Sequence, residues 1–147
     1  MSAIDADVRA EVYRFFVADG RAPVAAEVAE RLGTDQYAVE ESYRRLADSH
    51  MLVLAPGTPH IWMANPFSAL PTAYPVEAGG RTWFGNCIWD ALGILALLDR
   101  DGVVSTRCAD CGERMTVRVN DGELVTSEGV VHYAIPAARW WDDIGFN

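Results

Sequence analysis

The sequence contains no lysine, so its 12 basic residues are all arginines, set against 21 acidic residues for a formal net charge of -9. A chain of that sign is repelled by phosphate backbones and anionic lipid, which argues against nucleic acid or a membrane as a general partner. Cysteine is also scarce. Cys87, Cys108 and Cys111 are the only three, an odd number that does not suggest a disulfide framework. Reduced thiols fit a cytoplasmic protein. No stretch reads as a secretory signal, and the longest apolar run is shorter than a membrane span. Internal repeats and low-complexity tracts are lacking too. What is present is a chain of 147 residues, half of them hydrophobic, enough for one ordinary domain or two small ones sharing a core.

The most apolar run, residues 83–98, carries one thiol and one carboxylate, Cys87 and Asp90. Ala, Leu and Ile dominate from Ala91 onward without proline, predicting a buried helix that begins near Asn86. Residues three apart share a helix face, so Cys87 and Asp90 should point the same way near the N-terminus. That terminus favours negative charge, which would make Cys87 the most reactive thiol, although an ionised Asp90 opposes this. A soft nucleophile beside a proton donor is a reactive pair. The same residues also read as a buried cysteine with a first-turn acid.

Residues 1–65 read as three helices and a hairpin, the winged-helix pattern. Val8, Val12, Phe15 and Phe16 follow helical spacing up to Gly20, and Pro23 opens a second helix through Val24, Val28 and Leu32 to Gly33. Thr34 or Asp35 caps a third, with Val39, Tyr43 and Leu46 as its stripe. Met51–Ala55 and His60–Ala64 flank a proline-bounded turn. The pattern suggests DNA binding, yet residues 1–65 hold six arginines against ten acids, where a groove reader shows a basic face. A scaffold or cover for the rest of the chain is the preferred role. Residues 66–82, punctuated by Pro66, Pro71, Pro75 and Gly79-Gly80, form a connector with little helical or strand period. It is apolar enough to wrap across the core.

Residues 83–147 then make an α+β unit: the central helix followed by strands at Val103–Arg107, Met115–Val119, Glu123–Thr126 and Val130–Ile135, and a Trp-rich end. Between the first two strands lies Cys108-Ala109-Asp110-Cys111-Gly112, the shape of a zinc knuckle. A closed site needs four ligands, so Cys87 and one of His50, His60 or His132 would have to join the pair. Zinc or another soft metal, thiol chemistry beside Cys87, and a turn without function all stay open. His132 could serve as metal ligand or proton carrier, or be a satisfied histidine at a strand edge. Arg139 could bind an anion or pair with Asp142 or Asp143. Trp83, Trp89, Trp140 and Trp141 read as core and pocket wall.

Aromatic-x-x-x-Cys-x-x-Asp-Ala-Leu-Gly-Ile, following a small helical N-terminal segment, resembles the alkylmercury lyase (organomercurial lyase) family; so does the ending, residues 137–146. The resemblance implies that Cys87 is the thiolate taking mercury and that Asp90 helps bind the metal and supplies the proton that releases the hydrocarbon. It also implies an N-terminal winged-helix-like domain that helps enclose the site. The family's second essential cysteine lies near the C-terminus; no cysteine follows Cys111, and His132 lies close to that place. The implied function is cleavage of a carbon–mercury or related bond, with Cys87, Asp90 and His132 catalytic and Cys87, Cys108 and Cys111 as metal ligands. No cofactor is required, and zinc or another soft metal at Cys108/Cys111 stays open. The partners implied are a small-molecule substrate or soft metal and low-molecular-weight thiols. The alternative is a non-catalytic soft-metal or zinc-binding protein, or a relative acting on another small molecule.

Overall fold

The computed structural model describes residues 2–125 and 129–145. Three helices come first: α1 (Ala3–Asp19), α2 (Ala25–Leu32) and α3 (Gln36–Asp48). Helix α1 starts in a capping box, the Ser2 backbone N–H donating to Asp5 Oδ2 at 2.8 Å and the Asp5 N–H to Ser2 Oγ at 3.4 Å. It ends at Gly20 in the left-handed conformation. Asp5 is buried, and its Oδ1 accepts from the Ser42 hydroxyl at 2.8 Å and from Arg45 Nη2 at 2.7 Å, tying α1 to α3. Val28 is buried as its helical stripe requires, whereas Val24 caps α2 and is exposed.

Strands β1 (Val53–Leu54), β2 (Ile61–Ala64) and β3 (Phe67–Ser68) form one small antiparallel sheet. A second, five-stranded antiparallel sheet contains β4 (Pro75–Ala78), β5 (Arg81–Phe84), β6 (Gly102–Arg107), β7 (Arg114–Asn120) and β8 (Glu123–Leu124) in the order β5-β4-β6-β7-β8. Helix α4 (Ile88–Leu98) joins β5 to β6. The expected α+β fold is thus observed, with one helix beside a mixed run of strands after the N-terminal helices. Among the described residues no helix is long and apolar enough to cross a membrane.

Three sequence expectations change. The connector is not structureless, since β3 and β4 lie within residues 66–82. Their hydrogen bonds come from β2, β5 and β6, so no local periodicity announces them. Helix α4 is buried on one face only: Ala91, Ile94 and Leu95 are covered, while Trp89 and Leu97 are exposed. The strand expected at Val130–Ile135 is an irregular segment leading to a short 3-10 helix, Ala137–Asp142. Val130, Val131 and Tyr133 are all exposed there, so no buried face exists to hold a strand register. Thr126, the last residue of the expected Glu123–Thr126 strand, and Phe146 lie outside the described residues.

One apolar cluster unites both halves, running from Val12 and Phe16 through Tyr43 and Phe67 to Trp83, Ile94 and Val104. Phe16 and Phe67 stack with centroids 5.1 Å apart. The buried Trp83 indole donates to the Phe16 carbonyl at 2.7 Å, so the strand feeding α4 is anchored to α1. Tyr13 adds a hydrogen bond to the Asn65 carbonyl at 2.7 Å.

Candidate active site

The turn from β5 into α4 sets the position of Cys87. A side-chain carbon on Gly85 would lie 2.5 Å from the Ala91 backbone nitrogen, so only glycine lets the strand run this close to the first helical turn. The Thr72 hydroxyl donates to the Gly85 carbonyl at 2.5 Å, and Asn86 Nδ2 to Asn65 Oδ1 at 3.0 Å, fixing the turn from both sides. Cys87 becomes the N-cap of α4 and Asp90 its third residue, the helix starting at Ile88, two positions after Asn86. The two side chains do meet. The Cys87 thiol donates to Asp90 Oδ2 at 3.4 Å.

Both groups are half-buried in the wall of a cavity of about 280 Å³. Burial raises the Cys87 pKa first; the Asp90 charge and its acceptor oxygen raise it further, outweighing the backbone N–H groups of Asp90 and Trp89 that pull it down. Burial also raises the Asp90 pKa, against hydrogen bonds from Cys87 and Asn86. The expected thiolate-favouring helix terminus is therefore overridden, because loss of water and a neighbouring carboxylate act together on the same sulfur. The pair is a thiol hydrogen-bonded to a carboxyl group whose pKa burial raises above its ordinary value.

His132 lines the same cavity as Cys87, from an irregular segment and not from the expected strand. Trp89 and Trp140 also line it, as pocket wall; Trp83 is core, and Trp141 stacks on His50 at 3.9 Å between ring centroids. Arg139 pairs with Asp142 at 2.9 Å. Cys108 and Cys111 do not line the cavity; they sit in the loop joining β6 to β7. Among the described residues no three His, Cys, Asp or Glu side chains converge as a metal cluster, so Cys87, Cys108 and Cys111 do not form one ligand set.

Two neighbours were not legible beforehand. Asn86 hydrogen-bonds toward Asp90, and its only signal was its place beside Cys87. Tyr133 has its pKa raised by burial and then by the charges of Cys87 and Asp90, which puts it within their electrostatic reach. Its ring packs on Trp140 with centroids 5.2 Å apart, and the Trp140 indole donates to the Ile135 carbonyl at 2.9 Å.

Residues 67–146 match the family model for MerB, alkylmercury lyase, which is more than half of the chain. No curated protein matches. Among solved structures, the mercury-bound form of MerB2 superposes with a TM-score of 0.69 at 26% sequence identity, covering 86% of this chain and 60% of that one. The matched region contains β3, the five-stranded sheet, α4 and every residue of the thiol–carboxyl cavity except Met63 and Asn65. The chain belongs to the alkylmercury lyase family.

Proposed function

We propose that the chain cleaves the carbon–mercury bond of small organomercurials in the Cys87 cavity. The observation that carries this is the 3.4 Å contact between the Cys87 thiol and the Asp90 carboxyl inside a cavity of organic-ligand dimensions, on a chain of this family. In the reaction, the Cys87 sulfur displaces the thiolate that carries the organomercurial, forming a sulfur–mercury bond, and the Cys87 thiol proton passes to Asp90, whose raised pKa suits it to hold that proton. The carbon–mercury bond then breaks with its electron pair on carbon, and Asp90 returns the proton to that carbon. Hydrocarbon leaves and Hg(II) stays on sulfur, with no change of oxidation state.

A second donor pushes electron density through mercury toward carbon. Among the described lining residues no second cysteine fills that role, and His132 and the Met63 thioether are the remaining donors for a soft metal. Low-molecular-weight thiols then complete the mercury shell and carry the ion away. Residues 1–65 serve as scaffold: Trp83 on Phe16 of α1 and Asn86 on Asn65 after β2 hold the turn that presents Cys87.

The test is benzene release from phenylmercury in excess thiol, compared with thiol alone. Release above the control that disappears in Cys87→Ser supports the reading. Stoichiometric mercury binding without benzene release makes the chain a soft-metal binder instead.

A further inference from the structure

The loop between β6 and β7 holds the two cysteines that the lyase chemistry leaves unused. The ladder closes at the Arg107–Arg114 pair, and residues 108–113 form the connection. The Cys108 N–H donates to the Glu113 carbonyl at 2.8 Å, and the Gly112 N–H to the Cys108 carbonyl at 2.9 Å. Gly112 sits at φ +73° with no atom within 4 Å of an added side-chain carbon, so backbone conformation and not space requires glycine there. Arg107 Nη1 closes the loop from outside with a hydrogen bond to the Gly112 carbonyl at 3.1 Å.

The Gly112 N–H bond back to the Cys108 carbonyl closes one tight turn that holds both thiols three residues apart, the spacing at which a turn aims two sulfurs at one ion. Cys111 is exposed and Cys108 half-buried, so an ion reaches both without any rearrangement of the sheet.

We propose that Cys108 and Cys111 form a second soft-metal site at this hairpin tip, a dithiolate for a two-coordinate ion such as Hg(II), separate from the Cys87 cavity. Coordination number decides the kind of ion. Zinc in a closed site takes four ligands, whereas no third His, Cys, Asp or Glu joins this pair among the described residues. A soft ion content with two sulfurs needs nothing more. On binding, two sulfur–metal bonds form, the two chloride or glutathione ligands of the ion leave, two thiol protons pass to water, and no electrons change hands. The site does not depend on the lyase reading, because it uses neither Cys87 nor Asp90.

Full-length Cys87→Ser protein isolates the pair, leaving two cysteines of the three. The protein is loaded with mercuric chloride, dialysed against a modest excess of glutathione, and assayed for bound mercury and free thiols. Retention of one mercury per chain with loss of both free thiols is expected. Adding Cys111→Ser turns a chelate into a single contact and should weaken retention roughly a hundredfold, with the circular dichroism spectrum unchanged. The proposal is overturned if Cys87→Ser keeps both thiols free, or if the added Cys111→Ser substitution leaves retention the same. A parallel dialysis with zinc alone should retain none; one tightly held zinc per chain would contradict two-coordinate selection.

Discussion

Helices α1 and α4 open with the same spacing, an N-cap side chain and an aspartate three residues later: Ser2 and Asp5 in one, Cys87 and Asp90 in the other. The outcomes are opposite. In α1, Arg45 reaches the carboxylate, Ser42 adds a hydrogen bond, and the Asp5 pKa falls well below the usual carboxylate range. In α4, burial is the strongest influence on the aspartate and the partners are Cys87 and Asn86, so the pKa rises. One local motif becomes a structural clamp where a cation compensates it and a proton-holding pair where burial dominates.

The largest expected effect comes from removing the sulfur. Cys87→Ser should lose turnover entirely and lose mercury retention in the cavity, because a hydroxyl is a poor ligand for a soft metal; benzene release and mercury analysis read both. Next is the anchor beneath the reactive pair. Trp83→Ala empties a buried site and removes the bond to the Phe16 carbonyl, which should lower unfolding free energy by about 3–5 kcal/mol in urea titration.

The structural clamp has its own signature. Asp5→Ala should cost on the order of 1–2 kcal/mol at neutral pH. Because the folded-state pKa of Asp5 is depressed, its contribution is complete above the unfolded carboxylate pKa and is lost as pH falls through the folded value. Wild-type and Asp5→Ala stabilities should therefore converge in acid. A constant gap down to the acid limit would break the contrast with Asp90. The smallest effect is in labelling. Limiting iodoacetamide at neutral pH should modify Cys108 several-fold faster than Cys87, since hydrogen bonds lower one thiol pKa and burial raises the other.

The helices were legible because Val8, Val12, Phe15 and Phe16 repeat at helical spacing and Gly20 and Gly33 mark their ends. Strand β7 was legible for a similar reason, its alternation of Met115, Val117 and Val119 with polar residues. Strands β3 and β4 were hidden because they are two and four residues long, too short to show an alternation, and because β4 takes one neighbour, β6, from beyond α4. Val130–Ile135 misled in the other direction, rich in β-branched and aromatic residues like a strand where nothing covers a face. At the site, the Cys87–Asp90 contact follows from three-residue spacing alone. The reversed thiol pKa does not, because desolvation is set by the packing around the cavity. Tyr133 gave no signal, since its relation to Cys87 arises only when the C-terminal segment crosses the cavity.

The central claim is that Asp90 holds the proton that frees the hydrocarbon, and Asp90→Asn tests it most directly. Mercury retention and benzene release are measured on the same phenylmercury-loaded sample. Retention through Cys87 should stay close to wild type while release slows roughly 10²–10⁴-fold, the usual contribution of a positioned general acid. Stability should not fall at neutral pH, because ionising a carboxyl whose folded-state pKa is raised opposes folding above that pKa and asparagine removes the charge. Benzene release by Asp90→Asn at the wild-type rate, with mercury bound, would contradict it.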